Sequence, residues 1–256
     1  MKIENYGVGE RCAEVMRRLL VLEERCEISK DLSRIILLPI PTARDSIHIT
    51  GTDKLLSEAV YGVAESDAVF GYAIPKAEKE KMELCGALVY DVLECEDFQK
   101  ENAYITAIGA IGYILTELKV LPSELSFGVI GYGRIGKELI KLLLFLGARV
   151  EVYTSKETTR MELGGCGVKS YLTDYRSRID IRGIDVLINT APTDLSACFL
   201  PEEMTDVMII ELASGNNFGD IPGVKRLMSI PDKMYPKSAG AAYFRAIEKY
   251  VREVKK

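Results

Sequence analysis

The stretch that decides the fold is Ser126-Phe127-Gly128-Val129-Ile130-Gly131-Tyr132-Gly133-Arg134-Ile135-Gly136. Its first five residues have the composition of a strand, and three glycines follow at the spacing G-x-G-x-x-G. A helical stretch over 137–146 and a strand-like run over 148–154 come next. In such a unit the first glycine permits a tight turn, the second lets the backbone approach a pyrophosphate, and the third lets the helix pack against the strand. The pattern predicts a dinucleotide held by Gly131, Tyr132, Gly133, Arg134, Ile135 and Gly136; the alternative is a tight turn without a ligand.

The end of the second strand of this unit indicates which dinucleotide to expect. An acidic residue there would bind the ribose 2′-OH of NAD. Alternation along 150–154 places Thr154 at that position, and Ser155 and Lys156 follow it. Hydroxyl groups beside a cation suit a 2′-phosphate better than a carboxylate would, so we expect NADP rather than NAD. The alternative is that Lys156 and Arg160 are solvated charges at the start of a helix.

Two further loops follow predicted strands, at the end of the sheet where open α/β folds bind ligands. Asn189, Thr190, Ala191 and Pro192 follow one strand, and Ser214 follows the next. We expect these residues to contact the nicotinamide ribose or the carboxamide. Ordinary capping of the loops is the alternative.

Strand-like runs alternate with helical stretches along the rest of the chain, which predicts an α/β fold with a mainly parallel sheet. The candidate strands are 35–40, 68–74, 87–93, 125–130, 149–154, 168–171, 186–189 and 207–211, and the candidate helices include 10–22, 54–63, 76–84, 102–120 and 239–254. No convincing strand precedes Gly7-Val8-Gly9. We predict a smaller N-terminal α/β domain over 1–100, a doubly wound dinucleotide-binding domain over 101–238, and a helix over 239–256 that packs back on the N-terminal domain.

The composition narrows the classes of function. Lys and Arg number 33 against 38 Asp and Glu, which gives a formal net charge of −5 and disfavours nonspecific nucleic-acid binding. The only histidine, His48, rules out a site built from several histidine metal ligands, and we expect it to be structural. Six scattered cysteines, no apolar run of membrane-spanning length and no signal-like start predict a cytoplasmic protein with no metal site and no membrane partner.

Several segments, in order and spacing, resemble one known family. They are Leu38-Pro39-Ile40-Pro41-Thr42, Asn102-Ala103-Tyr104-Ile105-Thr106-Ala107-Ile108-Gly109, the glycine loop over 131–136, Ile188-Asn189-Thr190-Ala191-Pro192, Glu211-Leu212-Ala213-Ser214 and Pro236-Lys237-Ser238-Ala239-Gly240. Over 35–256 the chain resembles the dipicolinate synthase A-chain family, oxidoreductase subunits of endospore-forming bacteria. The resemblance implies two Rossmann-like domains, similar in architecture to those of D-2-hydroxyacid dehydrogenases. It also implies NAD(P)-dependent oxidation of a dihydrodipicolinate-type dicarboxylate to dipicolinate, together with a second, flavoprotein-like subunit of the synthase.

A dicarboxylate substrate needs cations and hydrogen-bond donors, particularly on a chain of negative net charge. Within the segments that resemble the family we expect substrate contacts from Thr42, Arg44, Asn102, Thr106 and Lys233, and we expect Lys237 and Ser238 to be catalytic. Solvated loop charges are the alternative for the cations. Helix capping is the alternative for Asn102 and for Ser238.

A second class of function stays open beside the enzyme. Ile108 stands where the family has an acidic residue, which favours a catalytically silent dinucleotide-binding scaffold or regulatory subunit. A D-2-hydroxyacid dehydrogenase is disfavoured, because that class uses a histidine near the end of the cofactor domain and no histidine follows His48. Gly109 and Gly112, on the apolar helix over 102–120, indicate close approach of another helix, between domains or in a homodimer.

Overall fold

The computed structural model describes residues 1–253, so the end of the predicted C-terminal helix, 254–256, lies outside the described residues. The elements up to residue 118 are β1 (Lys2–Asn5), α1 (Glu10–Glu24), β2 (Arg34–Leu37), α2 (Leu56–Ala59), β3 (Asp67–Gly71), α3 (Lys76–Leu84), β4 (Leu88–Asp91) and α4 (Glu96–Leu118). The following elements are β5 (Ser126–Ile130), α5 (Arg134–Phe145), β6 (Arg149–Thr154), α6 (Glu157–Gly165), β7 (Lys169–Leu172), β8 (Val186–Asn189), β9 (Met208–Glu211), β10 (Lys225–Arg226), α7 (Ile230–Met234) and α8 (Pro236–Arg252). The chain forms two compact units: unit 1 combines Met1–Asn102 with the segment from Pro231 onward, and unit 2 is Ala103–Ile230.

Unit 1 contains a sheet of four parallel strands in the order β1-β2-β3-β4. Its central strands β2 and β3 are almost entirely buried, as expected for parallel strands that are covered on both faces. On one face Ile36 and Val69 pack with Leu56 of α2 and Met82 of α3. Helix α8 packs along α1, so unit 1 joins the first helix of the chain to its last.

Unit 2 contains six parallel strands in the order β10-β9-β8-β5-β6-β7. This is the doubly wound order, in which the strand sequence reverses between β5 and β8 and ligands bind beyond the carboxyl ends at that point. One face is covered by a core that includes Val129, Val152 and Leu139 of α5. The other face, with Tyr153 and Leu187, is covered mainly by loop residues.

The predicted fold class is confirmed, since both sheets are parallel and both alternate with helices. Strands β6 and β8 have the predicted bounds. Strand β1 was not predicted, and it leads into Gly7-Val8-Gly9. Its four residues include two charged side chains and lie at a sheet edge, where one neighbour is missing and the apolar pattern is weak.

The helix bounds differ from prediction in several places, including the start of α8, which is Pro236 rather than 239. Helix α4 begins at Glu96 rather than 102, because the mostly polar residues 96–102, which include the buried Phe98, form its first two turns. Helix α5 begins at Arg134, inside the glycine loop, rather than at 137. The helix expected over 54–63 is reduced to Leu56–Ala59. Within residues 1–253, no helix combines the length and the apolar character needed to cross a membrane.

Candidate functional site

The glycine loop between β5 and α5 is held in shape by contacts that only glycine permits. Gly131 has φ +93°, a left-handed conformation, and a Cβ there would lie 2.8 Å from Thr190 Oγ1. A Cβ on Gly136 would lie 2.5 Å from the Gly131 carbonyl oxygen. The Gly131 N–H donates to the Tyr153 carbonyl at 2.8 Å, which fixes the turn against β6. The first and third glycines therefore serve the packing of the turn itself.

Gly133 is different, because nothing in the described chain requires a glycine there. It precedes α5, has φ −77°, and a Cβ added to it would meet no described atom within 4 Å. No side chain of a described residue caps α5, whose N-terminus lies next to this open space. A helix N-terminus with free N–H groups is a binding site for phosphate. The residues present thus fit a dinucleotide pyrophosphate.

The remaining residues of the loop are positioned around this space. The Tyr132 hydroxyl donates to Glu162 at 3.2 Å, and Lys137 Nζ lies 4.8 Å from the centre of the Tyr132 ring. Ile135 packs against the core of unit 2, whereas Arg134 is exposed. The loop therefore presents backbone and one cationic side chain to solvent.

At the end of β6 no carboxylate takes the position that would read a ribose 2′-OH. Thr154 is buried, and its Oγ1 accepts from the Lys156 N–H at 3.3 Å. Ser155 and Lys156 are exposed. Arg160, one turn further on, forms an ion pair with Glu157 at 2.5 Å. Lys156 is thus the cation nearest in sequence to the end of the strand.

The loop after β8 is tied to the glycine loop. Thr190 Oγ1 donates to the Ile130 carbonyl at 2.9 Å. The Asn189 side chain is buried, accepts from the Ala191 N–H at 2.9 Å, and donates to the Ala191 carbonyl at 3.0 Å. Ala191 is half-buried and Pro192 is exposed. Asn189 therefore shapes the loop, while Pro192 is the residue of this group that reaches the surface.

Glu211, at the end of β9, is a residue that the sequence reasoning did not select. Its carboxylate is fully buried, accepts from Asn189 Nδ2 at 3.0 Å, and accepts from the Ala213 N–H at 2.9 Å. Burial raises the pKa of Glu211 above its usual range. A carboxylate at the end of a wholly apolar strand was the available signal. Ser214, which was predicted, is exposed three residues later.

The predicted substrate residues lie in and near unit 1, in different environments. Thr42 is fully buried, and its Oγ1 accepts from the Tyr72 N–H at 2.9 Å. Thr106 is buried within α4, whereas Arg44 is exposed. Lys233 on α7 and the pair Lys237 and Ser238 in the first turn of α8 are also exposed.

Two alternatives that were left open for these residues are wrong. Tyr235, not Ser238, is the residue that precedes α8, and no side chain of a described residue caps that helix. Asn102 is not a helix cap either, because α4 begins six residues before it. The structure thereby removes the capping explanation for both side chains.

Arg11 contacts one of these residues, Asn102, and was also missed. It lies in the first turn of α1, is 2 % exposed, and donates from Nη2 to Asn102 Oδ1 at 3.2 Å. Its Nε lies 3.1 Å from Asp232 Oδ1. Burial lowers the pKa of Arg11 and raises the pKa of Asp232. The signal in the sequence was an arginine on the apolar face of an amphipathic helix, next to Gly7-Val8-Gly9.

His48 lies apart from this cluster in the hydrogen-bond network. It is exposed, its Nδ1 lies 2.6 Å from Asp45 Oδ2, and its backbone forms an isolated bridge with Leu55. The β-like stretch around it is therefore one bridge rather than a strand.

A groove of about 820 Å³ runs along β6 and β7 of unit 2, beneath the stacked rings of Tyr153 and Tyr171. Lys169 and Arg182 line it. Each of these cations is paired, the first with Glu151 and the second with Asp180. The groove therefore offers paired charges, unlike the open helix terminus behind Gly133.

Comparison with known proteins shows which solved structures share the fold of this chain. No protein-family model matches the chain, and no curated protein matches its sequence. Among solved structures, the dipicolinate synthase A-chain protein from Bacillus halodurans superimposes with a TM-score of 0.76 at 19% identity, over 98% of each chain. The chain has the fold of the dipicolinate synthase A chain. The resemblance seen in the sequence is thus confirmed at the level of the fold.

Two further structures agree with this assignment of the fold. The dipicolinate synthase A chain from Bacillus subtilis matches with a TM-score of 0.73 at 19% identity, covering 97% of this chain and 95% of that chain. An L-alanine dehydrogenase matches with a TM-score of 0.57 at 14% identity, covering 98% and 89%. The fold is therefore one that dehydrogenases share.

Proposed function

We propose that this protein is an NAD(P)-dependent oxidoreductase that oxidises a dihydrodipicolinate-type cyclic dicarboxylate to dipicolinate. The observation that carries the proposal is the open space at Gly133, in front of the uncapped N-terminus of α5. The second support is the fold that the chain shares with the dipicolinate synthase A chain, whose name states the product of that reaction.

The chemistry is the conversion of a dihydropyridine ring to a pyridine, which removes a hydride and a proton from the substrate. A bound nicotinamide dinucleotide supplies the hydride acceptor. The backbone N–H groups of 132–136, which include the start of α5, bind the pyrophosphate. Thr190 and Asn189 hold the neighbouring loop, with Ala191, Pro192 and Ser214 toward the nicotinamide end. Thr154, Ser155 and Lys156 receive the adenosine ribose.

The substrate residues are assigned by charge. The two carboxylates of the substrate require cations, and Arg44, Lys233 and Lys237 are exposed cations in or beside the segments that resemble the family. Ser238, beside Lys237 in the first turn of α8, offers a hydroxyl to the reacting ring. We propose that Lys237 and Ser238 contact the ring and take part in transfer of its proton. Thr42, Asn102 and Thr106 line the substrate site.

For the cofactor we propose NADP rather than NAD. Thr154 is not an acid, so no carboxylate at the end of β6 repels a 2′-phosphate, and Lys156 follows two residues later. Isothermal titration of the protein with NADP and with NAD tests this choice. Tighter binding of NADP is expected, and a Lys156→Gln variant should bind NADP less tightly while binding of NAD stays the same.

The reaction itself is tested by mixing the protein with NADP, enzymatically generated dihydrodipicolinate and the flavoprotein-like subunit of a dipicolinate synthase. We expect the ultraviolet absorbance of the pyridine product to rise together with NADPH. A Gly133→Ala variant is the matched control and should give less product than the wild type when NADP is limiting. Binding of the dinucleotide without any product, in the presence of the flavoprotein-like subunit, would contradict the proposal.

One observation favours a second candidate, a catalytically silent dinucleotide-binding subunit. Ile108, half-buried on α4, has no group that can transfer a proton, and the family to which the chain is similar has an acid there. An Ile108→Glu variant separates the two candidates: product formation by this variant and not by the wild type would favour the silent subunit.

A homodimer and a role in sporulation are further proposals, tested by sedimentation and by gene deletion.

A further inference from the structure

Arg11 is a buried cation that contacts one of the proposed substrate residues, and this inference deepens the proposed function. It donates to Asn102, which is one of those residues, and it faces Asp232, the neighbour of Lys233. The charge of Arg44 also acts on Asp232. The cluster therefore joins a helix start, the long helix α4 and the α7 segment within unit 1.

The contact between Arg11 and Asp232 is close but poorly aligned. Nε and Oδ1 are 3.1 Å apart, yet the Nε–H makes no hydrogen bond with any described residue. A guanidinium normally binds a carboxylate with two parallel hydrogen bonds. A buried donor left without a partner is costly, so this pair is not optimised as a structural ion pair.

The two partners also differ in their access to solvent. The Arg11 side chain is 3 % exposed and the Asp232 side chain is 38 % exposed. Asp232 lies on α7, a helix of five residues between β10 and α8. A carboxylate that comes from solution would therefore reach Arg11 from the side on which Asp232 lies. A small movement of this short segment would release the guanidinium.

We propose that Arg11 binds a carboxylate of the substrate and that Asp232 is an internal carboxylate which occupies Arg11 until the substrate displaces it. The site takes planar dicarboxylates: one carboxylate pairs with Arg11, and the other is available to the cations of the neighbouring segments. Asp232 sets the affinity, because the substrate must compete with it. Arg11 is a binding residue, and Asp232 is its competitor.

The test measures binding of pyridine-2,6-dicarboxylate by titration calorimetry without any dinucleotide. Asp232→Asn keeps the size of the side chain and removes the competing charge, so this variant should bind the probe about tenfold more tightly than the wild type. Arg11→Gln should bind it about tenfold more weakly. Arg17→Gln is the matched control, because it removes an exposed arginine that pairs with Glu14 on the same helix and should leave the affinity unchanged.

If Arg11→Gln does not fold, thermal unfolding of Asp232→Asn with and without the probe tests the same site. Asp232→Asn leaves a buried arginine without its carboxylate, so its melting temperature should fall, and the probe should restore it more than it raises that of the wild type. An Asp232→Asn variant that binds no more tightly, and that the probe does not restore, would show a purely structural pair and overturn the proposal.

The measured affinity for pyridine-2,6-dicarboxylate does not depend on dinucleotide binding. If NADP fails to bind while Asp232→Asn gains affinity for the probe, the proposed oxidoreductase function fails and the Arg11 site stands. If NADP binds and the probe affinity of both Arg11→Gln and Asp232→Asn equals that of the wild type, the Arg11 site fails alone.

Discussion

Each glycine of the 131–136 loop has a different structural role. Gly131 adopts a conformation that other residues rarely adopt, and Gly136 allows α5 to approach the Gly131 carbonyl. Gly133 leaves space that the described chain does not fill. Substitutions at the second and third glycines therefore separate binding from folding.

Gly133→Ala should leave the protein as stable as the wild type and weaken dinucleotide binding about tenfold or more. The added methyl group meets no described atom of the chain, but it enters the space in front of the helix terminus. Calorimetry with NADP and a thermal melt measure the two quantities. A stable variant with unchanged affinity would contradict a pyrophosphate at this position.

Gly136→Ala is the contrasting substitution. Its methyl group would lie 2.5 Å from the Gly131 carbonyl oxygen, so α5 must shift away from β5. We expect a loss of about 1–3 kcal/mol in the free energy of unfolding, measured by urea denaturation. Retention of full stability would show that the helix moves without cost.

Glu211 gives a prediction about pH. Burial raises its pKa in the folded protein, so its favourable contribution is complete below the pKa of the unfolded state and is lost as the pH rises through the folded pKa. The free energy of unfolding of the wild type minus that of Glu211→Gln should therefore fall as the pH rises from about 4 toward neutrality. Urea unfolding across this range measures the difference. A difference that grows with pH would show that the hydrogen bonds to the carboxylate outweigh its burial.

At this scale the sequence predicted glycines well and buried charges poorly. The G-x-G-x-x-G spacing carries its geometry in three residues. Arg11 and Glu211 have meaning only through partners that are distant in sequence: Asp232 lies 221 positions after Arg11 by number, and Asn189 precedes Glu211 by 22. Periodicity locates a buried face, but it does not show which charge the tertiary structure brings there.

Among the elements, α1 and α8 come closest to each other at Gly240. A Cβ on Gly240 would lie 2.6 Å from the Arg11 carbonyl oxygen and 2.7 Å from Glu14 Cβ. The Tyr243 hydroxyl, one turn later, is buried and donates to the Leu38 carbonyl at 3.1 Å. Helix α8 is thus fixed against both α1 and the end of β2.

Gly240→Ala should separate the two helices and lower the free energy of unfolding by about 1–3 kcal/mol. Ser238→Ala, at an exposed position on the same helix, is the control and should change stability little. Urea denaturation followed by circular dichroism measures both. Equal stability of the two variants would mean that the helices are not held at this distance.

Elements with strong apolar patterns were predictable and short polar ones were not. The buried strands β6 and β8 had their bounds predicted, since each is bounded by clear turn signals. β1 and β10, at the edges of their sheets, contain charged residues and owe their strand conformation to a single neighbour. α7 has five residues and no periodicity to detect.

At the scale of the molecule, the two proposed ligands bind to residues of different units. The dinucleotide residues lie in unit 2, and the residues around Arg11 lie in unit 1. Hydrogen exchange should show that NADP slows exchange of the amides near 131–136 and 189–191, while pyridine-2,6-dicarboxylate slows exchange near 10–12 and 232–238. Protection of the same amides by both ligands would contradict this division.

The division of the chain was predictable from its alternating pattern only in outline. The predicted limits at 100 and 238 stay a prediction about domains, whereas the compact units meet at Asn102 and Ala103 and again at Ile230 and Pro231. Helix α4 changes at this boundary from the mostly polar 96–102 to the apolar stretch from 103 on, but it continues from one unit into the next, so no turn or linker marks the division.

The pairing of α1 with α8 has a consequence for synthesis on the ribosome. Unit 2 is continuous in sequence, so all its described strands have been translated before α8 is made. Unit 1 cannot be completed until α8 has been made. Until then β1–β4 are already translated and the apolar face of α1 stays uncovered. The usual order, in which the N-terminal part of a chain folds first, is thereby reversed. In the nascent chain the apolar face of α1 therefore needs protection for a long time, until α8 has been made.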